Sequence, residues 1–318
     1  MTEPILLSTK QVAFFAANGF VELPAEVPAT INERFLDAIG ASDRREDVSQ
    51  ENLDRLSRLG GLMAKSDIPA VPAGTPLFSA FKETTVLGDL VRVPSIRGAI
   101  QSLVGANCVL DHHFVHVASG PLVYGNRQQI SQHLHQDSTI DPRESAFDIQ
   151  MFYFPHDVTS EMGGTRFVPG THLRVVSESA VARYQNMLGQ RHIECPAGSV
   201  FFMHHGIWHG GGVNRTNLSR FMYKLRLNPT VPQVRLWDTS DLNREDTSQR
   251  PIFFVKERYD PEAIASILTR ALPWFENDTG RIEYIQRIRF WRKLIGDETF
   301  DADYWATRLE CEPKLLDS

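Results

Sequence analysis

The residues whose side chains are best suited to bind a metal or take part in a reaction lie close together, between positions 132 and 137. His135 and Asp137 are separated by one residue, and on an extended strand residues i and i+2 project from the same face. An imidazole and a carboxylate placed in this way can occupy neighbouring positions on one metal ion. One more histidine would complete a set that leaves three positions open, which suits iron(II) binding a chelating co-substrate together with dioxygen.

Three histidines compete for the third metal position: His204, His205 and His209. We favour His209 because three consecutive glycines follow it, and glycine lets the backbone turn tightly beside a crowded site. His204 and His205 would then be core residues or would support the ligands. A His-x-Asp pair also arises by chance in a chain with 11 histidines. His133, on the same face as His135, could be a pocket residue or a supporting one.

Arg220 lies eleven residues after His209 and begins an apolar run. A guanidinium group can bind a carboxylate through two parallel hydrogen bonds, which lysine cannot do. Arg220 could instead be an outward-facing strand residue. If it faces inwards, Lys224 and Arg226 share its face. These two further cations could attract an acidic substrate group, or could reach solvent through a bulge or a strand end.

Short β-like runs between about residues 105 and 230 would position these side chains. Turns rich in Gly, Pro, Asn and Asp separate the runs, which predicts a sandwich or barrel rather than a parallel sheet with crossover helices. The runs are Cys108–Val115, Phe147–Phe154, Thr165–Val168, Ser199–Met203 and Ser219–Leu227. Along the first of them the alternating residues His112, Phe114 and His116 could line a pocket or be structural.

Helical patterns flank the β region. Ser8 and Gln11 have the spacing of a capping box, which predicts a short helix that Asn18-Gly19 ends and a strand at Phe20–Leu23. Residues from 31 to about 80 indicate helices and loop. After Pro251 the helical period returns.

The C-terminal helical segments are Pro261–Leu272, Gly280–Leu294 and Asp301–Leu309, with Trp291 and Trp305 packed on the sheet. The whole pattern predicts one domain spanning residues 1–318, mainly β with helical additions. Its core at about 105–230 would be flanked by N-terminal helices and by a helical layer at about 255–312.

Composition narrows the class of protein. The 318 residues are 42% hydrophobic and 23% charged, as in globular proteins with a large core. The net charge of −6 gives no electrostatic reason to bind nucleic acid. The sequence suggests neither a secretory signal nor a membrane span, and three widely spaced cysteines argue against a disulfide framework. We therefore expect a cytoplasmic protein with a small-molecule substrate and no membrane partner; the oligomeric state is left open.

Several segments together resemble the phytanoyl-CoA dioxygenase family of iron(II)- and 2-oxoglutarate-dependent oxygenases. The first is the opening at residues 7–21, which is similar to the family's entry helix and strand. The second is the pair His135-x-Asp137. The third is residues 163–172, which look like the family's Gly-containing turn and Pro-Gly-Ser-His sequence, with threonine in place of serine. The fourth is the distance from His209 to Arg220.

The resemblance implies a double-stranded β-helix, or jelly roll, similar to the cupins, with a metal-binding facial triad of His135, Asp137 and His209. Arg220 would bind the distal carboxylate of 2-oxoglutarate. Thr165 and Gln132 match positions that also contact the co-substrate, although Thr165 could equally be an ordinary strand residue and Gln132 a surface one. The cofactors would be iron(II), 2-oxoglutarate and O2.

The implied reaction is oxidation of an unactivated C–H bond, by default hydroxylation, in a small or medium-sized organic substrate, with release of succinate and CO2. Two other functions stay open. One is a cupin-like isomerase or epimerase that uses His133, His135 and a later histidine to hold another metal. The other is a non-catalytic jelly-roll binding protein.

Overall fold

The computed structural model of the chain describes residues 2–44, 49, 51, 70–124, 128–137, 146–183, 185–242, 261–276 and 279–302. Its α-helices are α1 (Thr9–Asn18), α2 (Ala29–Ala38), α3 (Leu77–Ala80), α4 (Val86–Arg92), α5 (Pro94–Leu103), α6 (Pro121–Tyr124), α7 (Glu178–Val181), α8 (Ile264–Leu268) and α9 (Gly280–Ile295). None of the helices in these ranges is long and apolar enough to cross a membrane.

The β-strands form two antiparallel sheets. They are β1 (Phe20–Leu23), β2 (Thr75–Pro76), β3 (Val109–Ala118), β4 (Ile149–Phe154), β5 (Arg166–Phe167), β6 (Arg191–His192), β7 (Ser199–His204), β8 (His209–Gly210) and β9 (Arg220–Asn228). The larger sheet has the order β1-β7-β4-β9-β3-β2 and the smaller one β6-β5-β8. An isolated antiparallel bridge between His135 and His209 adds the segment around His135 to the edge of the smaller sheet.

The two sheets pack face to face. Phe152, Phe201 and Met222 of the larger sheet belong to one buried cluster with Phe167 of the smaller sheet. The opposite face of the larger sheet packs in a second cluster with the helices, which includes Trp291. The arrangement is mostly β and jelly-roll-like, as the sequence predicts.

Strand β9 lies inside the larger sheet, between β4 and β3, and it is buried on both faces because the smaller sheet covers one face and the helices cover the other. Phe221, Tyr223 and Leu225 point into the cluster on the helical side. Arg220 and Lys224 line the space between the two sheets. The period-2 alternation read from the sequence therefore places this arginine and this lysine on the interior face.

Helix α1 has the predicted start and end. The Ser8 side chain accepts a hydrogen bond from the backbone N–H of Gln11, and the amide oxygen of the Gln11 side chain accepts one from the backbone N–H of Ser8. Gly19 ends the helix with a left-handed φ of 78°. A Cβ added at Gly19 would lie 2.6 Å from Nδ1 of the buried His172, so this glycine is required both by its backbone angle and by the close packing beside it.

Gly19→Ala should therefore destabilise the fold more than Gly40→Ala. Gly40 also has a positive φ, 67°, but a Cβ there would meet no atom within 4 Å. We expect the Gly40 variant to lose about 1–2 kcal/mol through backbone strain, and the Gly19 variant to lose about 1–3 kcal/mol more through overpacking. Urea unfolding of both variants measures the difference, and equal losses would show that the contact with His172 relaxes without cost.

The ends of the predicted elements differ from those observed. Thr165–Val168 shortens to the two-residue β5, and the predicted helix Pro261–Leu272 shortens to α8 (Ile264–Leu268). The prediction for Gly280–Leu294 agrees with α9 within one residue. Most of Asp301–Leu309, with Trp305, lies outside the described residues.

Candidate metal centre

The structure brings His135, Asp137 and His209 together. One ligand atom from each residue can be chosen so that all three lie within 4.8 Å of one another. Nε2 of His135 is 3.2 Å from Oδ1 of Asp137, and Nε2 of His209 is 3.4 Å from Oδ2. The histidines are held by mutual backbone hydrogen bonds of 2.9 Å, which join their two segments. His135 forms an isolated bridge and does not belong to a strand. The backbone around it is therefore less regularly extended than the sequence pattern suggests.

Backbone carbonyl groups fix the tautomer of both imidazoles. Nδ1 of His135 lies 3.0 Å from the oxygen of His133, and Nδ1 of His209 lies 3.0 Å from the oxygen of Ile207. A carbonyl oxygen only accepts, so each Nδ1 must carry the proton. Each Nε2 faces Asp137: when it carries a proton it donates to that carboxylate, and in the neutral ring the same atom can bind a metal ion held between the three residues.

The electrostatics favour a cation between these three groups. Burial alone would raise the pKa of Asp137, yet hydrogen bonds with His135 and His209, together with the positive charge of Lys224, hold that pKa well below its usual range. Burial lowers the pKa of His209, against the pull of the same carboxylate. Two imidazoles that accept and one carboxylate that stays ionised are the donor set for a divalent metal. These residues therefore fit a metal ion such as iron(II).

Arg220 lines the same cavity as the three candidate ligands and is 4% exposed. Its Nε and Nη1 atoms are buried and have no hydrogen-bond partner among the described residues. Burial lowers the pKa of Arg220 to about 10, so the group stays charged at neutral pH. A buried guanidinium with free donors requires an anion, and a carboxylate at the end of a metal-bound molecule would satisfy this requirement.

Thr165 and Gln132 also line the cavity. Thr165 is buried, and its hydroxyl group contacts Sδ of Met222 at 3.7 Å. Gln132 is an exposed residue whose amide oxygen accepts a hydrogen bond of 3.0 Å from the backbone N–H of Gly211. This bond secures the segment before His135 to the glycines after His209, and it leaves the amide nitrogen of Gln132 for any contact with a co-substrate.

The competing histidines do not belong to the convergent set of possible metal ligands found in the described residues. His204 is completely buried and stacks on Phe147 at 5.0 Å between ring centroids. His205 is also buried, and its Nε2 stays 3.9 Å from Oδ2 of Asp137. The His133 side chain is outside the group of possible metal ligands found in the described residues, and the residue is exposed. The structure does not assemble the alternative metal set that contains His133.

The glycines after His209 have a different role from the one inferred from sequence. A Cβ at Gly210 would lie 2.7 Å from the backbone oxygen of His133, and one at Gly212 would lie 2.7 Å from that of Gly163. Neither glycine has a positive φ. They allow close approach of neighbouring backbones, and a tight left-handed turn does not occur at these positions.

The sequence left Lys224 either to attract an acidic substrate group or to reach solvent through a bulge or strand end, and the structure places it in the wall of the cavity. Its Nζ donates to Oδ2 of Asp137 at 2.5 Å, and its side chain is only 7% exposed. The expectation that a bulge or strand end would carry it to solvent is wrong. Arg226 instead binds Asp148 and Asp111, at 2.5 and 3.4 Å.

The cavity has a volume of about 310 Å³. Besides the groups already described, its wall includes Phe114, His116 and Phe152. Phe114 and His116 come from the alternating pattern on β3 that pointed to a pocket, whereas Phe152 lies in the continuous apolar stretch 151–154, which carried no such signal. A larger groove of about 420 Å³ near Lys10 and Arg191 contains none of the candidate metal ligands.

Comparison with known proteins gives the family. The profile of the phytanoyl-CoA dioxygenases matches residues 15–222. A search of curated protein sequences finds no match.

Many solved structures are similar at low identity. HygX from Streptomyces hygroscopicus, with nickel and 2-oxoglutarate bound, is 14% identical over 74% of this chain and 94% of that one, with a TM-score of 0.49. The non-heme alpha-ketoglutarate-dependent carbocyclase SnoK from nogalamycin biosynthesis is 19% identical over 76% and 94%, with a TM-score of 0.48. The corresponding epimerase SnoN is 15% identical over 69% and 82%, with a TM-score of 0.46. Similarity at this level does not identify a reaction. The family match extends over well more than half of the sequence, and the chain therefore belongs to the phytanoyl-CoA dioxygenase family, whose enzymes depend on iron(II) and 2-oxoglutarate.

Proposed function

We propose that this chain is a single-domain oxygenase that hydroxylates an unactivated C–H bond of a small or medium-sized organic substrate. His135, Asp137 and His209 bind iron(II), and Arg220 binds the distal carboxylate of 2-oxoglutarate. The observation that carries the proposal is the shared cavity: it is lined by a convergent His-Asp-His set and by a buried arginine whose Nε and Nη1 have no partner in the described part of the chain. Family membership supports the same assignment.

The bound iron and 2-oxoglutarate supply the oxidising chemistry, in which the co-substrate and O2 become succinate, CO2 and the oxygen atom placed on the substrate. The protein supplies position and environment. His135 and His209 present fixed Nε2 atoms, since carbonyl oxygens hold their Nδ1 protons. Arg220 sets the distance of the co-substrate from the metal through its fork of donors. Phe114 and Phe152 exclude water from one side of the cavity.

Formation of one succinate for each substrate oxidised tests the reaction class. We expect succinate formation to need both iron(II) and 2-oxoglutarate, and to increase when a substrate is present. Mass spectrometry of the substrate should show a gain of one oxygen atom for hydroxylation. A cupin-like isomerase that does not use 2-oxoglutarate would leave succinate at the background level, and a binding protein would neither form succinate nor change its ligand. Succinate formed without a gain of oxygen would indicate ring closure or epimerisation instead of hydroxylation.

Thr165→Val should weaken 2-oxoglutarate binding modestly if the Thr165 hydroxyl group contacts the co-substrate. The loss of one hydrogen bond to a charged group is worth about 1.5–3 kcal/mol, or roughly a tenfold to a hundredfold change in affinity. Valine keeps the shape of the buried side chain. Calorimetric titration with 2-oxoglutarate in the presence of nickel(II) measures the change, and an unaltered affinity would make Thr165 an ordinary strand residue.

A further inference from the structure

We propose that the substrate carries an anionic group, such as a carboxylate, which Lys224 binds inside the cavity. The inference rests on the proposed function and names the chemical class of its substrate. It follows from the position of Lys224 on the cavity wall, from the rings around its ammonium group, and from the charges of the side chains that share the cavity.

Strand pairing holds the Lys224 side chain in the cavity. Lys224 lies opposite Phe114 of β3 on one side and opposite Phe152 of β4 on the other. Its Nζ is 5.7 Å from the centroid of the Phe114 ring and 5.6 Å from that of Phe152. A cation between two aromatic rings is stabilised by both. The ammonium group is therefore kept at the cavity surface rather than released to solvent.

Lys224 lacks an anion of its own. Arg226, two residues along the same face, is bound by Asp148 and Asp111, which do not line the cavity. Lys224 donates only to Asp137 among the described residues, and Asp137 is the carboxylate assigned to the metal. A metal ion bound to Asp137 would neutralise the negative charge that now pairs with Lys224.

The described side chains that line the cavity carry an excess of one positive charge. The ionised side chains that line it are Asp137, Arg220 and Lys224. His116 is neutral, because burial and the nearby cations Lys224 and Arg220 lower its pKa to about 3. The two positive charges of iron(II) and the two negative charges of 2-oxoglutarate cancel. The buried ammonium group of Lys224 then has no anionic partner among the described residues, and an anionic substrate would supply one.

The side chains at the opening of the cavity suit the apolar part of such a substrate. Tyr124 and Ile130 line the cavity and are 38% and 75% exposed, so apolar side chains border the opening. An organic acid with an apolar body would place its charge near Lys224 and its carbon skeleton against these side chains. This arrangement would also bring its C–H bonds near the metal, because Lys224 contacts a ligand of that metal.

Matched pairs of probes test the inference without turnover. Each pair is a carboxylate and its primary amide: benzoate and benzamide, 3-phenylpropanoate and 3-phenylpropanamide, octanoate and octanamide. Binding is measured by calorimetry on protein loaded with nickel(II) and 2-oxoglutarate. In the unaltered protein at least one acid should bind about tenfold or more tightly than its amide, as a charge-assisted hydrogen bond predicts.

Variants assign that preference to Lys224. Lys224→Met should reduce the preference for the acid to about twofold or less, since no ammonium group is left to bind it, while Lys224→Arg should retain it. Lys82→Met, which removes an exposed lysine outside the cavity, is the matched control and should behave like the unaltered protein. Nickel(II) and 2-oxoglutarate are titrated into every variant first.

The outcomes separate the two proposals. A preference for no acid in the unaltered protein, or one that survives in Lys224→Met, would overturn the assignment of an anionic substrate. Loss of nickel(II) binding in Lys224→Met would also overturn it, because Lys224 would then act only by positioning Asp137. Failure of the unaltered protein to bind nickel(II) and 2-oxoglutarate would instead refute the proposed function itself.

Discussion

Asp137→Ala should abolish tight iron(II) binding and all 2-oxoglutarate-dependent oxidation. The variant removes the only carboxylate of the convergent set and leaves two imidazoles beside the ammonium group of Lys224. Residues that merely support metal ligands cost about tenfold to a hundredfold in affinity when altered, so loss of a ligand should cost more than about a hundredfold. Anaerobic titration with iron(II), followed by measurement of bound metal, gives the affinity.

His133→Ala is the matched control for this variant. It removes a neighbouring imidazole but keeps the backbone oxygen that accepts the hydrogen bond from His135. We expect its iron(II) affinity to stay within about threefold of the original, since most exposed substitutions change free energies by less than about 0.5 kcal/mol. A larger loss in His133→Ala than in Asp137→Ala would favour the metal set of the isomerase hypothesis.

Arg220→Ala should weaken 2-oxoglutarate binding by roughly 3–6 kcal/mol. The arginine would form two charge-assisted hydrogen bonds with the distal carboxylate, each worth about 1.5–3 kcal/mol. The corresponding loss of affinity is about a hundredfold to ten-thousandfold. Calorimetric titration of the nickel(II)-loaded variant with 2-oxoglutarate measures it, and the nickel(II) affinity itself should change little.

Arg220→Lys distinguishes the geometry of the clamp from its charge. Lysine keeps the positive charge but cannot form the pair of parallel bonds, so its 2-oxoglutarate affinity should lie between those of the original protein and the alanine variant. If the alanine variant binds 2-oxoglutarate as tightly as the original, Arg220 is not the clamp, and its unpaired Nε and Nη1 need another explanation.

The sequence predicted those parts of the fold and site that depend on local patterns. The capping box of Ser8 and Gln11 placed α1, and the alternation along β9 placed Arg220 and Lys224 on one interior face. The spacing of His135 and Asp137, with one later histidine, led to the group that the structure brings together. The first two predictions need only one turn or one strand and its period, whereas the choice of His209 rested on the glycines that follow it and on the family resemblance.

Features that depend on contacts between distant segments were not predicted. Glycine is needed after His209 because the backbone of residues 133 and 163 lies too close to leave room for a Cβ atom. No local sequence pattern reveals this contact. Lys224 was expected to reach solvent through a bulge or a strand end, whereas the rings of Phe114 and Phe152 on neighbouring strands hold it inside. Contacts between segments that are distant in sequence decide both cases.

The most direct test of the proposed site is the anaerobic addition of iron(II) and 2-oxoglutarate to the purified protein, with Asp137→Ala as the blank. The complex of the metal with its co-substrate gives a weak charge-transfer band in the visible spectrum. We predict that the band appears only when both components are present, saturates at one iron per chain, and is absent from the variant. A protein that gives no band, or a variant that gives the same band, would contradict the assignment of His135, Asp137 and His209.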